Sequence, residues 1–209
     1  MIDHSKKLIF IHIQRTGGTF LEKQIWGNDI WFISPQEKHL IASQAKQLYR
    51  DYWESYTKIS IVRDPFARTV SMLRFFSQFF LTLDEQRKIQ GIEEYLKKYS
   101  YNGVVLENDY RFSKIEDLVS DVHQPNQIYL NLLDEPVDRV FIFENLIDDM
   151  EELCDLTKTK ISKDAVNLGS FEYSSYYTET LKETVSKLYE NDIQKFGFAF
   201  GQGKLNTLY

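Results

Sequence analysis

Leu8 to Ile13 (LIFIHI) is a mostly apolar, β-branched run of six residues that stops abruptly at Gln14-Arg15-Thr16-Gly17-Gly18-Thr19. Such a run reads as a strand buried on both faces, as the strands of parallel sheets are. From Phe20 onward Leu21, Ile25 and Trp26 recur at helical spacing until Gly27 stops them. Strand, glycine turn and helix in direct succession constrain the chain strongly, because parallel strands are joined through crossovers that are usually helices.

The alternation continues. Ile30 to Ile33 reads as a short second strand, and the segment from His39 to about Tyr52 as a helix with Ile41, Ala45, Leu48 and Tyr52 on one face. Lys58 to Val62 reads as a third strand running into Arg63-Asp64-Pro65, where Asp64 suits an N-cap and Pro65 the first turn of a helix reaching about Leu81. Val137 to Phe143 is the expected fourth strand, followed by a helix over Asn145 to Leu156. Leu181, Val185, Leu188, Ile193 and Phe196 form the stripe of a C-terminal helix, and 82–127 reads as helical insertions. Strands alternating with helices predict an α/β fold, a parallel sheet flanked by helices. A length of 209 residues fits one domain, 1–209, which buries roughly 70% of its unfolded surface without a metal or disulfide staple.

A net charge of −6 argues against broad binding to nucleic acid or anionic membrane, so any anion must be held by a local basic site. The single cysteine, Cys154, has no internal disulfide partner, and four scattered histidines give no zinc spacing. The opening MIDHSKKLIFIHIQ carries neither signal-peptide nor membrane-span features, so a cytoplasmic, metal-free protein is expected.

Ligands of open α/β sheets sit beyond the carboxyl ends of the strands, which directs attention to two segments. In the first, Gly17 and Gly18 permit a tight turn and close approach to an anion, and the helix start behind them offers unpaired N–H groups. Arg15 adds a charge, and the Thr16 and Thr19 hydroxyls can donate. A plain strand-to-helix turn is the competing account. The loop is no Walker A motif, since Thr19 stands where lysine would follow the second glycine. In the second segment, RDPFARTVS, Arg63 lies at a strand end and Ser71 about two turns into the next helix, where both can meet one anion. Taken singly, each is as easily a surface or salt-bridge arginine and a helix serine.

IFIHIQRTGGTFLE resembles the 5′-phosphosulfate loop of sulfotransferases that use 3′-phosphoadenosine-5′-phosphosulfate (PAPS), most closely the glycan-modifying (heparan sulfate 2-O/6-O type) branch. KISIVRDPFARTVSMLRFF resembles that family's 3′-phosphate segment, including the eight-residue step from Arg63 to Ser71. FIFENL at Phe141 to Leu146 and the C-terminal YYTETLKETVSKLYENDIQKFGF resemble later blocks, and 82–123 is the least similar stretch. The resemblance implies a P-loop-like sheet and sulfuryl transfer to a hydroxyl acceptor, a glycan or glycoconjugate. Arg15, Thr16, Gly17, Gly18, Thr19 and Phe20 would then hold the donor's 5′ end, and Arg63 with Ser71 its 3′-phosphate. The chain departs from the pattern at Arg15, where the family usually has lysine; the resemblance implies that Arg15 stabilises the leaving phosphate oxygen.

An acceptor hydroxyl needs a base. His39, expected at the start of the second helix, has a side chain suited to accept a proton near neutral pH, and Lys38-His39 resembles a family Lys-His pair whose histidine is the base. A capping or surface histidine is the plainer account of His39, and Glu37 is the rival base. His12 reads as a hydrogen-bonded core histidine, while His4 and His123 read as exposed. Tyr173, Tyr176 and Tyr177, with Ser170, Ser174 and Ser175, form either an aromatic packing cluster or a closing loop. A kinase or phosphotransferase on a P-loop scaffold, or a non-catalytic nucleotide-binding protein, are the alternative functions.

Overall fold

A computed structural model describes residues 1–80, 128–162, 173, 174, 177 and 179–202, with 73–80 given as helix backbone. The chain forms two compact units, Met1–Arg63 with Tyr129–Asn167, and Asp64–Ile128 with Leu168–Tyr209. The expected insertions over 82–127, His123, and Ser170, Ser175 and Tyr176 lie outside the described residues.

The first unit is built on a four-stranded sheet whose strands, β1 (Ile2–Asp3), β2 (Leu8–Ile11), β3 (Thr57–Val62) and β4 (Arg139–Ile142), lie side by side in that order. The β1–β2 pairing is antiparallel, with Ile2 opposite Ile9; β2–β3 and β3–β4 are parallel, with Phe10 opposite Ile59 and Ile61 opposite Phe141. The apolar runs behave as their composition demands. Leu8, Ile9, Phe10 and Ile11 are all buried, as are Lys58 to Val62. Alternation sends Ile9 and Ile11 to one face, where they pack with Ala42, Ala45, Tyr49 and Trp53. Phe10 and His12 share the other face, their rings parallel and 5.6 Å apart.

Among the described residues the helices of this unit are α1 (Gly18–Trp26), α2 (Ala42–Leu48), α3 (Arg50–Trp53), a short helix at Tyr129–Leu132 and one at Met150–Thr157. Three expectations need correction. Ile30 to Ile33 is not a strand but a 3-10 turn, Ile30–Phe32, whose start is capped by Asp29 accepting from the Trp31 N–H. Only Ile30 of that run is buried, so it lacks the two covered faces a parallel strand requires. The helix expected over 39–52 is in fact two pieces, α2 and then α3 after a break at Tyr49, and a 3-10 turn at Pro35–Glu37 precedes it. His39 therefore sits in the connector before α2 rather than opening the helix. The expected Asn145–Leu156 helix is likewise a 3-10 turn, Phe143–Asn145, followed by Met150–Thr157.

The second unit starts with α4 (Pro65–Phe80), and Asp64 caps it as expected, its Oδ1 accepting from the Phe66 N–H at 2.8 Å. Asp64 Oδ2 accepts from the Tyr173 hydroxyl at 2.8 Å, and Tyr177 donates to the Phe66 carbonyl at 2.8 Å. Phe66, Tyr173, Tyr177 and Phe200 interlock edge to face, so the described tyrosines of that cluster are core packing. The C-terminal stripe is split into Glu179–Leu188 and Glu190–Phe196 by the buried Tyr189, whose hydroxyl accepts from Arg68 at 3.0 Å. Among the described residues, no helix is long and apolar enough to cross a membrane.

Candidate functional site

The carboxyl ends of three adjacent parallel strands meet in the first unit. Beyond β2 the chain passes through His12 and Ile13 into the loop 14–17; beyond β3 comes Arg63; beyond β4 comes Phe143-Glu144. Arg63 Nη1 donates to the Arg15 carbonyl at 3.3 Å, its guanidinium stacks 4.4 Å from the Phe143 ring centre, and Nε lies 4.0 Å from Glu144 Oε1. The Arg63 carbonyl in turn accepts from the Tyr129 hydroxyl at 2.6 Å. A guanidinium so enclosed ties the three strand ends together.

The loop has a left-handed Arg15 (φ 62°) and a left-handed Gly17 (φ 89°). A β-carbon on Gly17 would come within 2.8 Å of the Phe143 ring, and one on Gly18 would overlap the His12 imidazole. Both glycines are thus needed for close packing of the loop, and Gly17 also for its turn. Thr16 is fully buried and its hydroxyl donates to the Ile13 carbonyl at 2.8 Å, so this hydroxyl's proton serves the loop itself. The Phe20 and Leu21 N–H groups bond to the Gly17 carbonyl, at 3.1 and 3.4 Å; those of Gly18 and Thr19 precede the helical ladder and point out of the helix start.

Behind the loop lies a buried polar assembly that the sequence did not disclose. Glu22, fully buried on α1, accepts from His12 Nδ1 through Oε1, and through Oε2 from Lys38 Nζ at 2.8 Å and the Ile30 N–H at 3.1 Å. Lys38, itself buried, also pairs with Asp29 and reaches Thr19 Oγ1 at 3.4 Å. Burial raises the Glu22 carboxyl's pKa, but the bonds from His12 and Lys38 outweigh that and hold it below the ordinary value. Burial pushes the His12 imidazole down despite Glu22. The assembly therefore holds an ionised Glu22, a cationic Lys38 and a neutral His12 donating its Nδ1 proton. The one hint in the sequence was His12, a polar residue in an apolar run; its expected role as a hydrogen-bonded core histidine holds.

His39 is half-buried against this assembly. Its Nδ1 lies 3.1 Å from the His12 carbonyl, and its ring meets the His12 ring edge-on at 4.7 Å. A carbonyl only accepts, so Nδ1 carries the proton and Nε2 the lone pair. Burial, together with His12 and Lys38, lowers the His39 pKa to about 4, so the ring is neutral at pH 7 but a weaker base than a free histidine. Glu37 is occupied on both oxygens, by the Ser34 hydroxyl at 2.8 Å and the Tyr49 hydroxyl at 2.5 Å.

The structure thus gathers Arg15, Thr16, Gly17, Gly18, Thr19, Phe20, Arg63 and His39 in one unit. Ser71, buried on α4, belongs to the second. His4 is exposed and bonded to the Tyr56 hydroxyl at 3.0 Å. Among the described residues no group of three or more His, Cys, Asp or Glu side chains is arranged to hold a metal ion. No known family profile matches the chain, and no curated protein matches it.

Proposed function

We propose that this protein is a cytoplasmic sulfotransferase that moves the sulfuryl group of PAPS to a carbohydrate hydroxyl. The observation that supports this best is a neutral, oriented imidazole, His39, bonded to the carbonyl of His12 just ahead of a helix-start loop that carries Arg15 and is braced by Arg63. The order and spacing of the two motifs support the same reading, as does a glycine loop that follows a parallel strand and opens a helix.

The fit to the donor rests on the loop's chemistry. The Gly18 and Thr19 N–H groups and the positive end of α1 suit a 5′-phosphosulfate, and Arg15 lies beside them. Arg63 supports the turn through the Arg15 carbonyl. In the reaction the acceptor O–H bond breaks and His39 Nε2 takes the proton. The acceptor oxygen forms a bond to sulfur while the bond from sulfur to the bridging phosphate oxygen breaks. That electron pair leaves with 3′-phosphoadenosine-5′-phosphate (PAP), whose new charge Arg15 stabilises. Such transfers proceed through loose, in-line transition states, for which positioning and leaving-group stabilisation suffice without a metal.

The test is thermal unfolding with PAP, and with magnesium and ATP as control. At about 100 times its dissociation constant a ligand adds roughly 2.7 kcal/mol, raising the midpoint of a chain this size by about 5–10 °C. A rise with PAP and none with ATP supports the donor assignment. A larger rise with ATP points to a phosphotransferase instead, and PAP binding without transfer to any glycan points to a nucleotide-binding protein.

A further inference from the structure

Trp31, Phe32 and Ile33 are consecutive apolar residues exposed to 56%, 79% and 55%, an unusual patch for a small surface turn. The turn that carries them is anchored. The Ile30 N–H donates to Glu22 and the Trp31 N–H to Asp29 at 2.9 Å, and both carboxylates bind Lys38, the residue preceding His39. The indole of Trp31 lies 6.1 Å from the His39 ring, tilted by 44°. An exposed aromatic face is thus held at a set position beside the candidate base by the same ion assembly that seats the base.

We infer that Trp31 is the platform on which the acceptor's sugar ring stacks, an inference that rests on the sulfuryl-transfer reading of His39. The face of a pyranose ring with axial C–H bonds is apolar and slightly positive, matching the negative face of an indole, while its equatorial hydroxyls project from the rim. A sugar lying on Trp31 therefore presents a rim hydroxyl toward the neighbouring His39, and residues 29–33 favour acceptors with an all-equatorial face. The acidic net charge and the carboxylates around the turn favour an uncharged ring face over an anionic lipid surface as the occupant.

The experiment is calorimetric titration of the full chain, in the presence of PAP, with cellotetraose and chitotetraose as probes. The wild type should bind at least one of them saturably. Trp31→Ala should weaken that binding about two- to tenfold, the range expected for loss of one aromatic stacking contact. Trp31→Phe should keep most of the affinity, and Phe32→Ala all of it. The midpoint rise with PAP should persist in every variant. Equal affinity in wild type and Trp31→Ala, or no saturable binding of either saccharide while the PAP rise is intact, overturns the platform alone. Trp31-dependent binding to phosphatidylcholine vesicles without saccharide binding also overturns it, in favour of a lipid surface. A missing PAP rise in the wild type overturns the sulfuryl-transfer reading on which the platform rests.

Discussion

His39 Nδ1 donates to the His12 carbonyl oxygen at 3.1 Å, a bond that fixes both the tautomer and the direction of the candidate base. The consequence is measurable in pH. The folded ring's pKa is lowered to about 4, against roughly 6.5 when unfolded, so between those values the unfolded chain binds the extra proton. Stability from this group is complete above about pH 6.5 and is lost as the pH falls toward 4, with a slope of up to about 1.4 kcal/mol per pH unit. Urea melts from pH 7 to 4 should show that decline, reduced in His39→Gln. The same shift places the acid limb of kcat/KM well below pH 6; a limb at 6.5 in transfer assays contradicts the assignment.

Transfer itself should separate base from scaffold. His39→Ala should lower kcat about 10²–10⁴-fold while leaving PAP affinity within a factor of about two. Single-turnover rates and calorimetric PAP titration on the same variant read the two effects independently. Undiminished turnover in His39→Ala removes the residue from the mechanism.

The contrast between what could and could not be read from the chain has a physical basis. Leu8 to Ile11 was legible because a strand covered on both faces must be continuously apolar, and Ile59, Ile61 and Val62 carry most of that signature through Lys58 to Val62. Ile30 to Ile33 has the same look, yet Asp29 caps it into a turn and leaves three of its four residues exposed. The helix breaks at Tyr49 and Tyr189 were invisible because both tyrosines are buried and stay in phase with the apolar stripe, while their backbones (φ −105°, ψ 26° and φ −106°, ψ 20°) leave the helix. The glycine loop, Arg63 and His39 were visible as residue types in a known spacing. The burial of Lys38 leaves no mark in the sequence, because its partners Glu22 and Asp29 are remote along the chain and folding alone brings them together.

That buried assembly should be costly to break. Lys38→Met leaves Glu22 and Asp29 facing each other without their shared cation, and removing one partner of a buried ion pair typically costs about 3–5 kcal/mol. Chemical denaturation should show a loss of that order, with Lys46→Met, whose partner Glu135 is at the surface, losing far less. Equal, small losses in both variants are incompatible with a buried network.

The two glycines of the loop make a sharper case, because a third supplies the control. Gly27 closes α1 at φ 74° with open space where a β-carbon would stand, so Gly27→Ala should cost about 1 kcal/mol, for backbone strain alone. Gly18 has an ordinary helical backbone, but its β-carbon would overlap the His12 imidazole, which is held from its far side by Glu22 and cannot retreat without breaking that bond. Gly18→Ala should therefore cost about 1–3 kcal/mol through overpacking, despite alanine's better helix propensity. It should also displace the His12 carbonyl that orients His39. Thermal melts read the first effect, and a shift of the His39 ring resonances in a ¹H–¹⁵N spectrum reads the second. The discriminating result is Gly18→Ala together with His12→Ala, since removing the ring opens the space that the methyl needs. The double variant should then be no less stable than His12→Ala alone, whereas additive losses would mean that Gly18 is required by the backbone rather than by the histidine packed against it.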